Sequence, residues 1–274
     1  MIVILTGSTS GIGWETLKGL YPQADQFILP VRNIAKANSL FLQLPDTKKI
    51  HLFEMDLEDL ASIQKASDKI KIAFTKIDLM INNAGGMFPT GKKTKDGLDQ
   101  TFQVNHLGHV LLIKNLLQNL IEANGKIIQV SSMAHHIGSF NLKDLGLEKV
   151  KNAWLAYGSA KLYNILTSNY LDNEFKEKGL SAYSLHPGAV KTNFGSTSGA
   201  FDKVMIEVSK LFFISPKAGA QTTLFLSLTP KEQLIYGGYY DKKKPKSKSK
   251  NASNKAYATK LWEYSLELLE QMGY

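Results

Sequence analysis

The sequence predicts a doubly wound α/β fold: a mainly parallel sheet of about seven strands with helices on both faces. Three observations predict it. Short apolar, β-branched runs alternate with longer stretches of helical periodicity, the pattern of successive βαβ units. Several of these runs end in small or polar residues, where the strands of an open parallel sheet meet their ligands. The 274 residues are 43% hydrophobic and 21% charged, which suits one large buried core.

The elements follow in order. "IVIL" (2–5) is the first strand. "QFILPV" (26–31), "IHLFEMD" (50–56), "IDLMINNAG" (77–85), "GKIIQVSS" (125–132) and "LSAYSLHPG" (180–188) are the next five. Helical periodicity covers 12–20, 58–75, 97–123 and 154–177. No internal repeat and no Pro/Gly/Ser-rich linker occurs before 241, so a single domain is placed over 1–240. Within it, segment 193–216 is apolar at Phe194, Phe201, Val204, Met205, Val208, Leu211 and Phe212. It reads as a lid over a substrate pocket or as a helix covering the core, and either way it walls the site. "DKKKPKSKSK" (241–250) holds six lysines and one aspartate; 241–255 reads as a solvated, flexible loop. Leu261, Tyr264, Leu268 and Met272 recur at helical spacing, so 256–274 reads as an amphipathic helix packed back on the domain.

Composition removes several function classes. There is no cysteine, hence no disulfide, thiolate metal site or cysteine nucleophile. No apolar run approaches the roughly 20 residues of a membrane span, and the N-terminal run is too short for a signal peptide. A soluble, cytoplasmic protein is expected. Of the net charge of +9, the decapeptide 241–250 carries +5, leaving +4 elsewhere. A weak membrane-surface contact is the partner left open for that segment. Nucleic acid is not expected, because the lysines are not interleaved with aromatics. His106/His109 and His135/His136 have no third ligand or acidic partner at suitable spacing, so no metal is expected.

The loop "TGSTSGIG" joins the first strand to a helix N-terminus, an arrangement that binds anions through backbone N–H groups and the helix dipole. Its glycines, at 7, 11 and 13, have neither the GxGxxG nor the GK[ST] spacing. The second strand ends in "LPVRN", offering Arg32 and no carboxylate. That favours the extra phosphate of NADP(H) over the bare ribose of NAD(H). After the third strand, "MDLED" offers Asp56 to an adenine amino group or to a helix N-terminus, two roles that can coexist. "NNAG" (82–85) ends the fourth strand with residues small enough for a flat ring to lie against.

"AYGSAKLYN" places Tyr157 one helical turn before Lys161. A phenol titrates near about 10, and a neighbouring ammonium favours its ionised form, so the pair is a way to build a working proton donor and acceptor. Ser131 and Ser132 end the fifth strand, "QVNHLGH" supplies Asn105, and "HPGAVKTN" closes the sixth strand with Pro187, Gly188 and Thr192.

Together these segments resemble the short-chain dehydrogenase/reductase family. Its pattern TGxxxGxG, NNAG, Asn, Ser, YxxxK and PG-x-V-x-T occurs here complete and in order over 6–192. The resemblance implies a Rossmann-type domain and an oxidoreductase that interconverts a carbonyl and an alcohol. It implies Tyr157 as the acid/base, and Lys161 as the residue that lowers the tyrosine pKa and binds the nicotinamide ribose. Ser132, rather than Ser131, would polarise the substrate oxygen, and Asn105 would hold a relay water. The cofactor positions would be Thr6, Gly7, Ser8, Thr9, Ser10, Gly11, Ile12, Gly13, Arg32, Asp56, Leu57, Asn83, Ala84, Gly85, Tyr157, Lys161, Pro187, Gly188, Val190 and Thr192. A small-molecule substrate follows, and an oligomer is compatible with the family. The alternative is a non-catalytic regulator or scaffold that has kept the fold. "VNHLGHVLL", "VSSMAHHIG", the long insertion between Ser132 and Tyr157 and "KLWEYSLELL" are similar to the retinol dehydrogenase and protochlorophyllide reductase branch. That branch favours NADPH and bulky apolar carbonyls. A membrane anchor like that of many retinol dehydrogenases is not expected, and the cysteine associated with protochlorophyllide reduction is missing.

Overall fold

Val3, Ile4 and Leu5 are all buried, so the first strand, β1 (Ile2–Leu5), has no solvent face, as expected for the middle of a parallel sheet. The computed structural model describes residues 1–188 and 214–274. Strands β2 (Gln26–Val31), β3 (Ile50–Glu54), β4 (Leu79–Asn82), β5 (Lys126–Val130), β6 (Ser181–His186), β7 (Tyr239–Asp241) and β8 (Lys244–Pro245) complete the sheet. Its order is β3-β2-β1-β4-β5-β6-β7-β8, eight strands against the about seven expected. All neighbours are parallel except β7 and β8.

Alternate residues feed two cores. Ile4, Met80, Ile127 and Ala182 face one layer, and Leu5, Ile81, Ile128 and Tyr183 the other. The first layer contains α3 (Leu60–Ala73), α5 (Gly108–Glu122), α6 (Ala153–Phe175) and a terminal helix, which we number α8 (Lys255–Gln271). The second contains α1 (Gly11–Leu20), α2 (Ile34–Phe41) and α7 (Pro216–Leu228). Polar caps set the helix starts. Asp59 accepts from Ser62 N at 3.1 Å, Asn33 from Lys36 N at 2.8 Å, and Asn152 from Trp154 N at 2.9 Å. The short α2 has no counterpart among the sequence expectations, although Asn33 marks its start.

Before α5 the helix is irregular. A single turn, α4 (Gln100–Phe102), runs into a π-helical turn over Gln103–Leu107 and then into α5 without a break. Such turns hold one residue more than an α-helix and are frequent at functional sites.

The lysine-rich segment needs correction. Expected as a flexible loop over 241–255, it carries β8, which pairs with β7 through Asp241↔Lys244 and Tyr240↔Pro245. Lys242 and Lys243 form the turn, with φ of 49° and 64°. Lys248 turns inward: its ammonium donates to the Asn169 side chain and, at 2.5 Å, to Gly237 O. The charge pattern resembles a solvated run because most of these lysines are exposed; the inward one is invisible without the neighbouring carbonyls. On α8 the deepest residues are Leu261, Ser265 and Leu269, with Tyr264, Leu268 and Met272 only partly buried beside them. Among the described residues, no helix is long and apolar enough to cross a membrane.

The chain winds from β1 outward to β3, then returns to β4 and winds the other way. The order therefore reverses between β1 and β4, whose carboxyl ends lie side by side. Ligands bind at such a switch point.

Candidate active site

The glycine loop occupies that crevice, and its shape depends on the glycines. Gly7 has φ +68°, and a Cβ on Gly13 would lie 2.0 Å from Gly7 O, so the loop closes on α1 only with glycine there. Ser10 precedes α1 without making a side-chain cap, and the first turn of α1 has no acidic residue. Ser8 is buried, and its hydroxyl has no partner among the described residues. A helix N-terminus without a side-chain cap, a glycine cradle and an orphaned hydroxyl fit a dinucleotide pyrophosphate. Arg32 is exposed just beyond β2.

The next two motifs hold this loop in place. Thr6 Oγ1 accepts from Asn83 N at 3.0 Å and Ala84 N at 2.9 Å. Asn83 Nδ2 donates back to Thr6 O at 3.0 Å. Asn83 thus ties β4 to the loop, a structural duty its sequence context did not show. Gly85 (φ +154°) lies beside both Asn105 and Lys161: a Cβ there would be 2.4 Å from Asn105 Oδ1 and 3.4 Å from Lys161 Nζ. Asp56 Oδ1 accepts from Glu58 N at 3.0 Å, while the N-cap of α3 is Asp59. Of the two roles left open for Asp56, the helix cap is therefore filled by another residue. Leu57 is buried behind it.

Asn105 sits in the π-helical turn. Its Oδ1 accepts from Gly86 N at 3.0 Å, and its Nδ2 donates to Gly86 O and Thr101 O, both at 2.9 Å. The side-chain amide thus ties the π-helical turn to the chain at Gly86. His109, one turn on, is neutral: burial and Lys161 push it down to about 3. Its Nε2 lies 3.1 Å from Thr6 Oγ1.

The two serines separate cleanly. Ser131 is buried and donates to Lys161 O at 2.6 Å, which fixes α6 against β5. Ser132 caps the short 3-10 turn Met133–His136, accepting from Ala134 N at 3.2 Å, and hydrogen-bonds Tyr157. Only Ser132 presents its hydroxyl to the tyrosine.

Tyr157 and Lys161 lie on one face of α6, with the ammonium 5.5 Å from the phenol ring centre. Lys161 Nζ donates to Val130 O at 3.0 Å. Here the expected electrostatics is reversed. Burial pushes the Tyr157 phenol up to about 12, with the Ser132 bond opposing, and pushes Lys161 down to about 8. For both groups burial is the dominant cause, because each loses water that would solvate its charged form.

Pro187 and Gly188 (φ +94°) end β6 at the same edge of the sheet. Val190, Thr192 and the expected lid, 193–216 up to residue 213, lie outside the described residues. Met133 and Ile137 at the 3-10 turn, and Trp154 and Leu155 at the start of α6, flank Ser132 and Tyr157 in sequence and are between 41 and 57% exposed.

Comparison with known proteins agrees with this geometry. The family model described as short chain dehydrogenase matches residues 1–202. The chain is 35% identical to human (Homo sapiens) "Retinol dehydrogenase 11" over 272 residues, covering 98% of this chain and 85% of that protein. It is 34% identical to "Retinol dehydrogenase 12" of Mus musculus over 272 residues, covering 98% and 86%. A crystal structure of an uncharacterized protein from Mycobacterium Paratuberculosis superposes with a TM-score of 0.80 at 29% identity, covering 98% of this chain and 93% of that one.

Proposed function

This chain belongs to the short-chain dehydrogenase family, a family of oxidoreductases, and from that premise we propose an NADP(H)-dependent enzyme that interconverts a carbonyl and an alcohol. The observation that carries the reading is the hydrogen-bonded Ser132–Tyr157 pair, with Lys161 one helical turn from the tyrosine and its ammonium beside Gly85.

Thr6 to Gly13 would hold the pyrophosphate, Asn83 to Gly85 the wall of the nicotinamide half, and Arg32 the additional phosphate. Bound there, NADP(H) supplies or accepts the hydride. Tyr157, protonated at neutral pH, donates its proton to the carbonyl oxygen in reduction and takes it back in oxidation. Ser132 Oγ orients that oxygen. Lys161, with its pKa near about 8, holds positive charge beside the phenol as the phenolate forms.

The substrate we infer is bulky and apolar. Met133, Ile137, Trp154 and Leu155 support this, as does the retinol in the names of the relatives, a long apolar alcohol. The test is oxidation of NADPH followed by absorbance with a panel of aldehydes and ketones. Turnover favouring long apolar aldehydes, lost in Tyr157→Phe, supports the reading; full turnover in that variant overturns the mechanism.

A further inference from the structure

The peptide unit between Ser132 and Met133 is gripped at both ends by imidazoles. Its carbonyl, Ser132 O, lies 2.8 Å from His135 Nδ1. Its N–H, on Met133, donates to His186 Nδ1 at 3.3 Å. The ring protons follow from the partners. A backbone N–H only donates, so the ring nitrogen facing it carries no proton. Ser249 N–H faces His135 Nε2 at 3.3 Å, which leaves the His135 proton on Nδ1, donated to Ser132 O. Met133 N–H faces His186 Nδ1, which leaves the His186 proton on Nε2.

Both rings must be neutral for this arrangement, since a second proton would point at an N–H group. Burial lowers the pKa of both, that of His135 to about 4. Facing His135 are the Ser132 carbonyl, the His136 ring and the Tyr239 ring 4.9 Å away; His186 also acts on it electrostatically. Asp241 and Lys242 act on His186 with opposite signs.

The grip reaches the reacting edge in one residue. Ser132 is held extended (φ −158°, ψ 158°), and that backbone directs its hydroxyl toward Tyr157. On the other side, the grip leads into the lysine-rich segment. Lys248, anchored on Asn169 and Gly237, immediately precedes the Ser249 N–H that fixes the His135 tautomer.

We propose that His135 and His186 are positioning residues that clamp the Ser132–Met133 peptide and so aim the Ser132 hydroxyl, with the chain at Ser249 completing the clamp. This rests on the role of Ser132 given above. It makes the segment 241–250 part of the catalytic support rather than an appendage.

Two measurements test it. Long-range 1H–15N NMR of the full chain, labelled at histidine, reads the tautomers without reference to activity. The expected result is neutral His135 protonated on Nδ1 and neutral His186 protonated on Nε2 near neutral pH. Either ring in the opposite tautomer overturns the clamp, even if no carbonyl substrate is ever found. Kinetics then reads the positioning. Asparagine places an amide group where Nδ1 stands, and leucine offers none. His135→Leu and His186→Leu should lower kcat roughly 10- to 100-fold, the scale of a misplaced catalytic group. Their KM for NADPH should stay within about twofold of wild type, and His135→Asn and His186→Asn should recover most of kcat. Wild-type kcat in the leucine variants, or equal losses in the asparagine and leucine variants, overturns the proposal. A wild-type protein without carbonyl turnover overturns the functional reading instead, and the tautomers still decide the clamp.

Discussion

Thr6 and Asn83 hold each other across the β1–β4 crevice: the threonine hydroxyl takes the Asn83 amide at 3.0 Å, and the Asn83 side chain returns a bond to the Thr6 carbonyl at 3.0 Å. The glycine loop is thus fastened to the strand that carries the next motif.

Thr6→Val removes the hydroxyl at nearly constant shape. It strands the Asn83 and Ala84 N–H groups and should cost about 2 kcal/mol in urea denaturation. Thr6→Ser keeps the acceptor and should stay within about 1 kcal/mol of wild type. NADPH affinity, read by fluorescence titration, should fall in the valine variant and hold in the serine one.

Tyr157→Phe should lower kcat by roughly 10²- to 10⁴-fold, the range of a general acid–base group, while NADPH still binds. Ser132→Ala should lower kcat less and act on the same step. The double variant should then be no worse than Tyr157→Phe alone, since the serine works on the oxygen that the tyrosine protonates.

Lys161 gives a pH prediction whose sign follows from burial. Its folded pKa, about 8, lies below the free-chain value of about 10.4. The unfolded chain therefore binds more protons between these values, and stability rises with pH there. Lys126 and Lys248, also lowered to about 8, add to the rise. Buried tyrosines such as Tyr157 oppose it once free phenols ionise near about 10. Thermal melts from pH 7 to 9.5 should show a rising Tm. Lys161→Met should flatten part of the rise and melt higher at pH 7, yet lose turnover, the cost of a charge kept for function. Reduction by the wild type should fall as pH passes about 8.

Arg32 lies exposed beyond β2 with no carboxylate at that strand end. Arg32→Glu should weaken NADPH by roughly tenfold or more, through a lost charge-assisted bond and a new repulsion, and leave NADH within about twofold. Titration of both cofactors decides it, and an equal effect on both removes Arg32 from the phosphate site.

Much of this was legible in the sequence, for physical reasons. Motifs such as the glycine loop, "NNAG", and Tyr157 with Lys161 are contiguous, so their spacing carries the geometry. The preference for Ser132 over Ser131 came with the family resemblance, and the bond that commits Ser131 to the Lys161 carbonyl has no mark in the sequence. The direction of the Tyr157 shift was not legible, because it is set by burial, which depends on residues distant in the chain. Lys248 reads like its exposed neighbours, since only Asn169 and Gly237, far away in the chain, distinguish it. His135 was weighed as a metal ligand by its spacing to His136, and His186 was not singled out. Their partners are backbone groups at Ser132, Met133 and Ser249, which leave no spacing to detect.

The π-helical turn at Gln103–Leu107 has a genetic consequence. It is one surplus residue carried in a helix, and the surplus sets the phase of everything before it. Removing one residue there would let a plain α-helix form through to Glu122 and swing the preceding side chains by about 100°. Asn105 would then lose Gly86 and the Thr101 carbonyl together. A one-codon deletion in this stretch should spare the helix content seen by circular dichroism yet silence the enzyme, whereas point substitutions on the same helix should act only in proportion to their size.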